Sequence, residues 1–134
     1  MAKERARKVR ILIADDHPMI RRAVRSTLQD HTHFEVCGEA ADGAEAVEAA
    51  KKLKPDVVVL NITMPVMNGF EAARKIKENV PHSAIVILSS NADRRFVEEA
   101  KKIGVRAYVA KTKAGEALVN AVEAAVRGED FVVL

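Results

Sequence analysis

Four apolar runs in this sequence end beside side chains that can do chemistry. "VRILIA" is followed by Asp15 and Asp16, "VVVL" by Asn61, "IVIL" by Ser89, and the run Val105–Val109 is followed shortly by Lys111. Adjacent carboxylates raise each other's proton affinity unless a cation is shared. Magnesium relieves that repulsion by taking oxygens from one or two carboxylates, a carbonyl, waters and a phosphate. The amide oxygen of Asn61 or the backbone carbonyl of Thr63 can complete such a set, with the Ser89 hydroxyl and the Lys111 ammonium beside it. Alone, "DD" reads more plainly as an acidic, solvated loop; the groups at the other run ends favour a metal.

Those groups matter together only if the fold gathers them. The runs Val9–Ala14, Phe34–Glu39, Val57–Leu60, Ile85–Leu88 and Val105–Val109 are mostly continuously apolar and β-branched, as in strands covered on both faces. Between them, residues 18–29, 43–53, 69–79, 93–103 and 114–127 read as helices. Ala44, Val47 and Ala50, or Leu118, Val122 and Ala125, recur at helical spacing with Lys and Glu opposite. Asp16 or His17 can cap the first helix, with Pro18 in its first turn, and Asp42 precedes the second. Gly104 and Gly128 follow the ends of later ones. Five strand–helix units in register predict an α/β parallel sheet. In such sheets the ligand sits beyond the carboxyl ends of the strands, where the strand order reverses.

At 134 residues the chain suits one domain. Its net charge of +3 is local: five of the 22 basic and one of the 19 acidic side chains lie in the first ten residues, leaving 17 against 18 elsewhere. Residues 1–8 read as a disordered basic tail and 129–134 as a C-terminal tail or the start of a linker, with packing of "FVVL" on the domain as the other option. No run approaches the ~20 apolar residues that span a bilayer. A lone Cys37 in an apolar run reads as a buried, inert thiol in a reducing, cytoplasmic compartment. His31 and His33 lack a nearby third ligand and read as a solvated loop. No GxGxxG or GxxxxGK[ST] pattern supports nucleotide binding.

Taken in order, "LIADDHPMIRR", "VVVLNITMPVMNGFEAARKI", "IVILSSNAD" and "GVRAYVAKTKAGEALVNAV" resemble the receiver domain of two-component response regulators, most closely the NarL/FixJ type. The resemblance covers residues 9–128. It implies a flavodoxin-like (βα)5 doubly wound fold with strand order 2-1-3-4-5. It further implies that Asp15, Asp16 and the Thr63 carbonyl hold Mg2+, that Ser89 and Lys111 contact the phosphoryl group, and that Tyr108 changes rotamer with it. Asn61 falls where the family has its phosphoaccepting aspartate.

That departure governs the functional expectation. An amide delocalises its nitrogen lone pair and carries no net charge, so it does not attack phosphorus as a carboxylate does. Magnesium affinity should be weakened, Lys111 should lose its nearest counter-charge while still able to donate to the Asn61 oxygen, and relief of carboxylate repulsion should stabilise the fold by up to ~1 kcal/mol. The expected function is that of a non-enzymatic receiver, an atypical one or an Asp-to-Asn variant, that signals through protein contacts. Its expected partners are a sensor histidine kinase or another signalling protein, with homodimerisation as a further option. An alternative is the N-terminal part of a DNA-binding transcriptional regulator, with DNA touched only through a domain outside this chain. A magnesium-dependent phosphatase-like enzyme is the weaker rival.

Overall fold

The computed structural model describes residues 7–134. Six strands and five helices alternate: β1 (Val9–Ala14), α1 (Pro18–Gln29), β2 (Phe34–Ala40), α2 (Gly43–Leu53), β3 (Val57–Leu60), α3 (Gly69–Asn79), β4 (Ala84–Ser89), α4 (Arg94–Ile103), β5 (Ala107–Ala110), α5 (Ala114–Arg127) and β6 (Phe131–Val133). A single 3-10 turn, Lys111–Lys113, joins β5 to α5. All five strand pairings are parallel, in the order β2-β1-β3-β4-β5-β6. The expected flavodoxin-like order is therefore present, extended by one strand.

The unbroken apolarity of the central strands follows from burial on both sides. In β3, Val57 and Val59 face α1 and α5, while Val58 and Leu60 face α2, α3 and α4; all four are at most 2 % exposed. Successive strand side chains point to opposite faces, so a strand between two helical layers has no polar position to offer. Helix ends obey side-chain capping: Asp42, Asn68 and Asp93 accept hydrogen bonds from Glu45 N, Glu71 N and Arg95 N. Gly104 and Gly128 end α4 and α5 at φ of 101° and 74°, backbone that favours glycine.

Four expectations need correction. The "FVVL" segment is no tail: Phe131–Val133 pairs with Ala107–Val109 as an edge strand. The last strand of the core begins at Ala107 and not at Val105, because Val105 N bonds Ala100 O and closes the end of α4. Cys37 is half-buried, since it is the extra residue of a bulge between the pairs Ile11–Val36 and Leu12–Gly38 on the edge strand β2; burial still pushes its thiol above the ordinary value. His31 is packed, its ring stacked on Phe34 at a 4.4 Å centroid distance. The expected disordered tail lies outside the described residues except for Arg7 and Lys8, and Arg7 reaches Asp56 at 3.3 Å.

Candidate functional site

Register places the chemistry. Ala14 pairs with Leu60 across β1 and β3, the two strands that flank the order reversal, and Asn61 N donates to Ala14 O at 3.0 Å. The residues next in line, Asp15 and Asn61, therefore stand side by side at the carboxyl end of the sheet. On the other flank Ser89 pairs with Ala110, so Lys111 lies one residue beyond it. Asp15, Asn61 and Ser89 are 3 %, 5 % and 3 % exposed, three of only four buried polar residues among those described.

Burial obliges each of these groups to find partners. Asp15 Oδ1 accepts from His17 N at 2.9 Å and lies 3.0 Å from His17 Nδ1, while Oδ2 lies 3.0 Å from Lys111 Nζ. His17 Nδ1 is also 3.2 Å from Asp16 Oδ1. The Asn61 side-chain nitrogen donates to Thr63 O at 2.8 Å and to Asp16 Oδ1 at 3.3 Å. Lys111 thus finds its counter-charge in Asp15. Asn61 turns its nitrogen, and not its oxygen, toward Asp16 and the Thr63 carbonyl.

Arg21 fixes the acidic loop from below. Its guanidinium donates to Asp15 O at 2.6 Å and to Glu39 Oε1 at 3.0 Å. Glu39 also accepts from Arg25, and Arg25 above all, with help from Arg21, holds its carboxyl below the ordinary value against the opposing effect of burial.

A second cluster occupies the β4–α4 connection. Asn91 N donates to Ser89 Oγ at 3.0 Å, Tyr108 Oη donates to Asn91 O at 2.8 Å, and Asp93 N donates to Asn91 Oδ1 at 2.7 Å. Asp93 then caps α4, its carboxyl held at about 2 mainly by the Arg95 guanidinium. Tyr108 is 1 % exposed, and burial raises its phenol despite the nearby Ser89 hydroxyl. Its ring packs in the core while its hydroxyl pins the connection. Tyr108→Phe should cost about 1 kcal/mol, the usual net worth of one such bond, and loosen residues 90–93 first. Amide hydrogen exchange would check this by faster exchange at Asn91 with β4 unchanged.

Set against known proteins, residues 11–123 match the response regulator receiver domain model. The chain belongs to the receiver-domain family of two-component response regulators. It is 38 % identical over 122 residues to the uncharacterized transcriptional regulatory protein YxjL of Bacillus subtilis (strain 168), covering 91 % of this chain and 56 % of that protein. It is 36 % identical over 121 residues to the response regulator protein VraR of Staphylococcus aureus, covering 90 % of this chain and 58 % of the relative. This receiver therefore spans between half and two-thirds of these relatives' lengths. Among solved structures it resembles a LuxR-family two-component response regulator from Aurantimonas sp. SI85-9A1, with a TM-score of 0.88, 31 % identity, and coverage of 95 % of this chain and 89 % of the other. It also resembles the receiver domain of the putative response regulator NarL from Mycobacterium tuberculosis, with a TM-score of 0.79, 30 % identity, and coverage of 88 % and 98 %.

In this receiver the structure gathers Asp15, Asp16, Thr63, Asn61 and Lys111 through direct contacts, and sets Ser89 and Tyr108 around Asn91. Sequence reasoning saw His17 only as a cap; its side chain makes no cap bond and reaches the two acids instead. The adjacency in "DDHP" was the available signal. Arg21 and Asn91 carried little, because the contacts of Arg21 with the Asp15 carbonyl and Glu39, and of the Asn91 carbonyl with Tyr108, are ones that only the fold brings near. Asp15, Asp16 and His17 are also the one cluster of three metal-ligating side chains among the described residues, and receiver domains generally bind Mg2+ at such an acidic pocket. No helix among those described is long and apolar enough to cross a membrane.

Proposed function

We propose that this receiver signals through protein contacts and does not cycle through phosphorylation at residue 61. One observation supports this above the rest: the group at the end of β3 is a buried amide whose nitrogen is engaged by Thr63 O and Asp16. The nitrogen lone pair is delocalised and the amide oxygen carries no charge, so the group is too weak a nucleophile to attack phosphorus as a carboxylate does. Asp15, Asp16 and the Thr63 carbonyl suit magnesium by donor type and would hold it. When bound, the ion would neutralise charge on a phosphoryl oxygen. Affinity should be weakened, because an aspartate at 61 would add a negative charge that the amide lacks. Ser89 and Lys111 would contact a phosphoryl group, and Tyr108 would change rotamer with it, as the family resemblance implies. The partner is a sensor histidine kinase or another signalling protein, with a second copy of the chain as a further candidate.

Incubation with acetyl phosphate and magnesium, followed by intact mass measurement, should leave the mass of the parent chain unchanged. A phosphoryl adduct would place the acceptor at another residue and overturn the reading. A second reading is that these residues form the N-terminal part of a DNA-binding regulator. It is supported by the transcriptional names of the relatives and by the share of their length that the chain spans. The two readings are compatible, since contact with DNA would then be made by residues outside this chain.

A further inference from the structure

The oxygens around Asn61 are those a divalent ion would otherwise bring together. Its side-chain nitrogen donates one hydrogen to Thr63 O and the other to Asp16 Oδ1, at 2.8 and 3.3 Å. On the opposite side Asp15 is met by Lys111 through one oxygen and by His17 through the other. No buried side-chain nitrogen or oxygen among the described residues lacks a partner. We propose that the Asn61 amide serves as the internal counter-group of the acidic pocket, tying the loops after β1 and β3 together so that the fold needs no divalent metal there. This rests on reading residue 61 as the phosphoacceptor position, though not on any failure of phosphorylation.

The orientation of the amide is dictated by its surroundings. Rotated by half a turn, it would set a carbonyl oxygen against the Thr63 carbonyl and the Asp16 carboxylate, three acceptors with no hydrogen among them. Nitrogen inward is the arrangement in which both amide hydrogens meet acceptors. A carboxylate at 61 has no such arrangement. Either of its oxygens would face the same two acceptors at similar distances, and like charges so close are tolerated only when a cation or a proton intervenes. The amide nitrogen supplies positive hydrogens at the points where magnesium would otherwise act, and an ion entering the pocket must displace them.

Thermal unfolding followed by circular dichroism, in EDTA and in millimolar MgCl2, tests the proposal. The parent chain should melt at the same temperature in both. Asn61→Asp should melt about 3–5 °C lower in EDTA and recover most of that loss in magnesium, because a ligand that binds only the native state stabilises it. Equal gains from magnesium in parent and variant, or a variant as stable as the parent in EDTA, would overturn the idea. If the aspartate variant folds only once magnesium is added, the proposal stands. If it folds in neither condition, the 1H–15N signals of the Asn61 side chain in the parent decide: unmoved by magnesium they support the brace, and a progressive shift refutes it. No arm involves phosphorylation, so an adduct on the parent chain would sink the functional reading and leave this inference standing.

Discussion

Asn61→Asp should convert a chain that takes no phosphoryl group from acetyl phosphate into one that takes a single group per molecule. A carboxylate oxygen would stand at the end of β3, beside the Asp16 carboxylate and the Thr63 carbonyl that the amide nitrogen now contacts. That oxygen attacks phosphorus, the bond from phosphorus to the acetyl oxygen breaks, and acetate departs with the electron pair. Two further groups wait nearby. Lys111, its side chain 18 % exposed, is held at the rim by Asp15, and Ser89 Oγ accepts from Asn91 N while keeping its own hydrogen for another acceptor. Intact mass measures the gain. Loss of the adduct in hydroxylamine identifies an acyl phosphate and separates it from a phosphoserine at Ser89 or Ser90. Adding Lys111→Ala should slow the gain by about a hundredfold, the scale of removing one donor from a developing anion. An aspartate variant that stays unmodified would mean that residue 61 is not presented to the pocket.

The groups in that experiment were legible in the sequence because each terminates an apolar run, and a run buried on both faces announces a strand. Val57–Leu60 is the clearest case: four β-branched or branched residues, all buried, ending at the amide. Contacts made by backbone were not legible. Val105 looks like part of a strand, yet its N–H is spent on closing α4, so the strand starts two residues later. Phe131–Val133 is a strand only because β5 has a free edge to receive it, a property of the assembled sheet and not of four residues. The orientation of Asn61 was hidden for the same reason: only the Thr63 carbonyl, folded back by the loop, shows which end of the amide must face inward.

That loop is shaped by a glycine, and replacing it should be strongly damaging. A methyl group built on Gly69 would lie 2.2 Å from the Asn61 backbone oxygen and 2.8 Å from Ile62 Cα, while Gly69 N donates to Ile62 O at 2.6 Å. Backbone cannot step aside as a flexible side chain can, so either α3 retreats or the end of β3 moves. Gly69→Ala should cost about 2–3 kcal/mol, an overpacking penalty, and lower the melting temperature by roughly 10 °C. Gly115 supplies the control, for nothing lies within 4 Å of a methyl placed there. In the first turn of α5, Gly115→Ala should stabilise the fold by about 0.5–1 kcal/mol, since alanine loses less backbone entropy on entering a helix. The damage at Gly69 should also reach the pocket. Because the clash falls on the carbonyl of Asn61 itself, the side-chain amide signals of Asn61 should shift in Gly69→Ala and hold still in Gly115→Ala. A stable Gly69→Ala protein with undisturbed Asn61 signals would show that the loop has slack, and that the position of the amide does not depend on the close approach of α3.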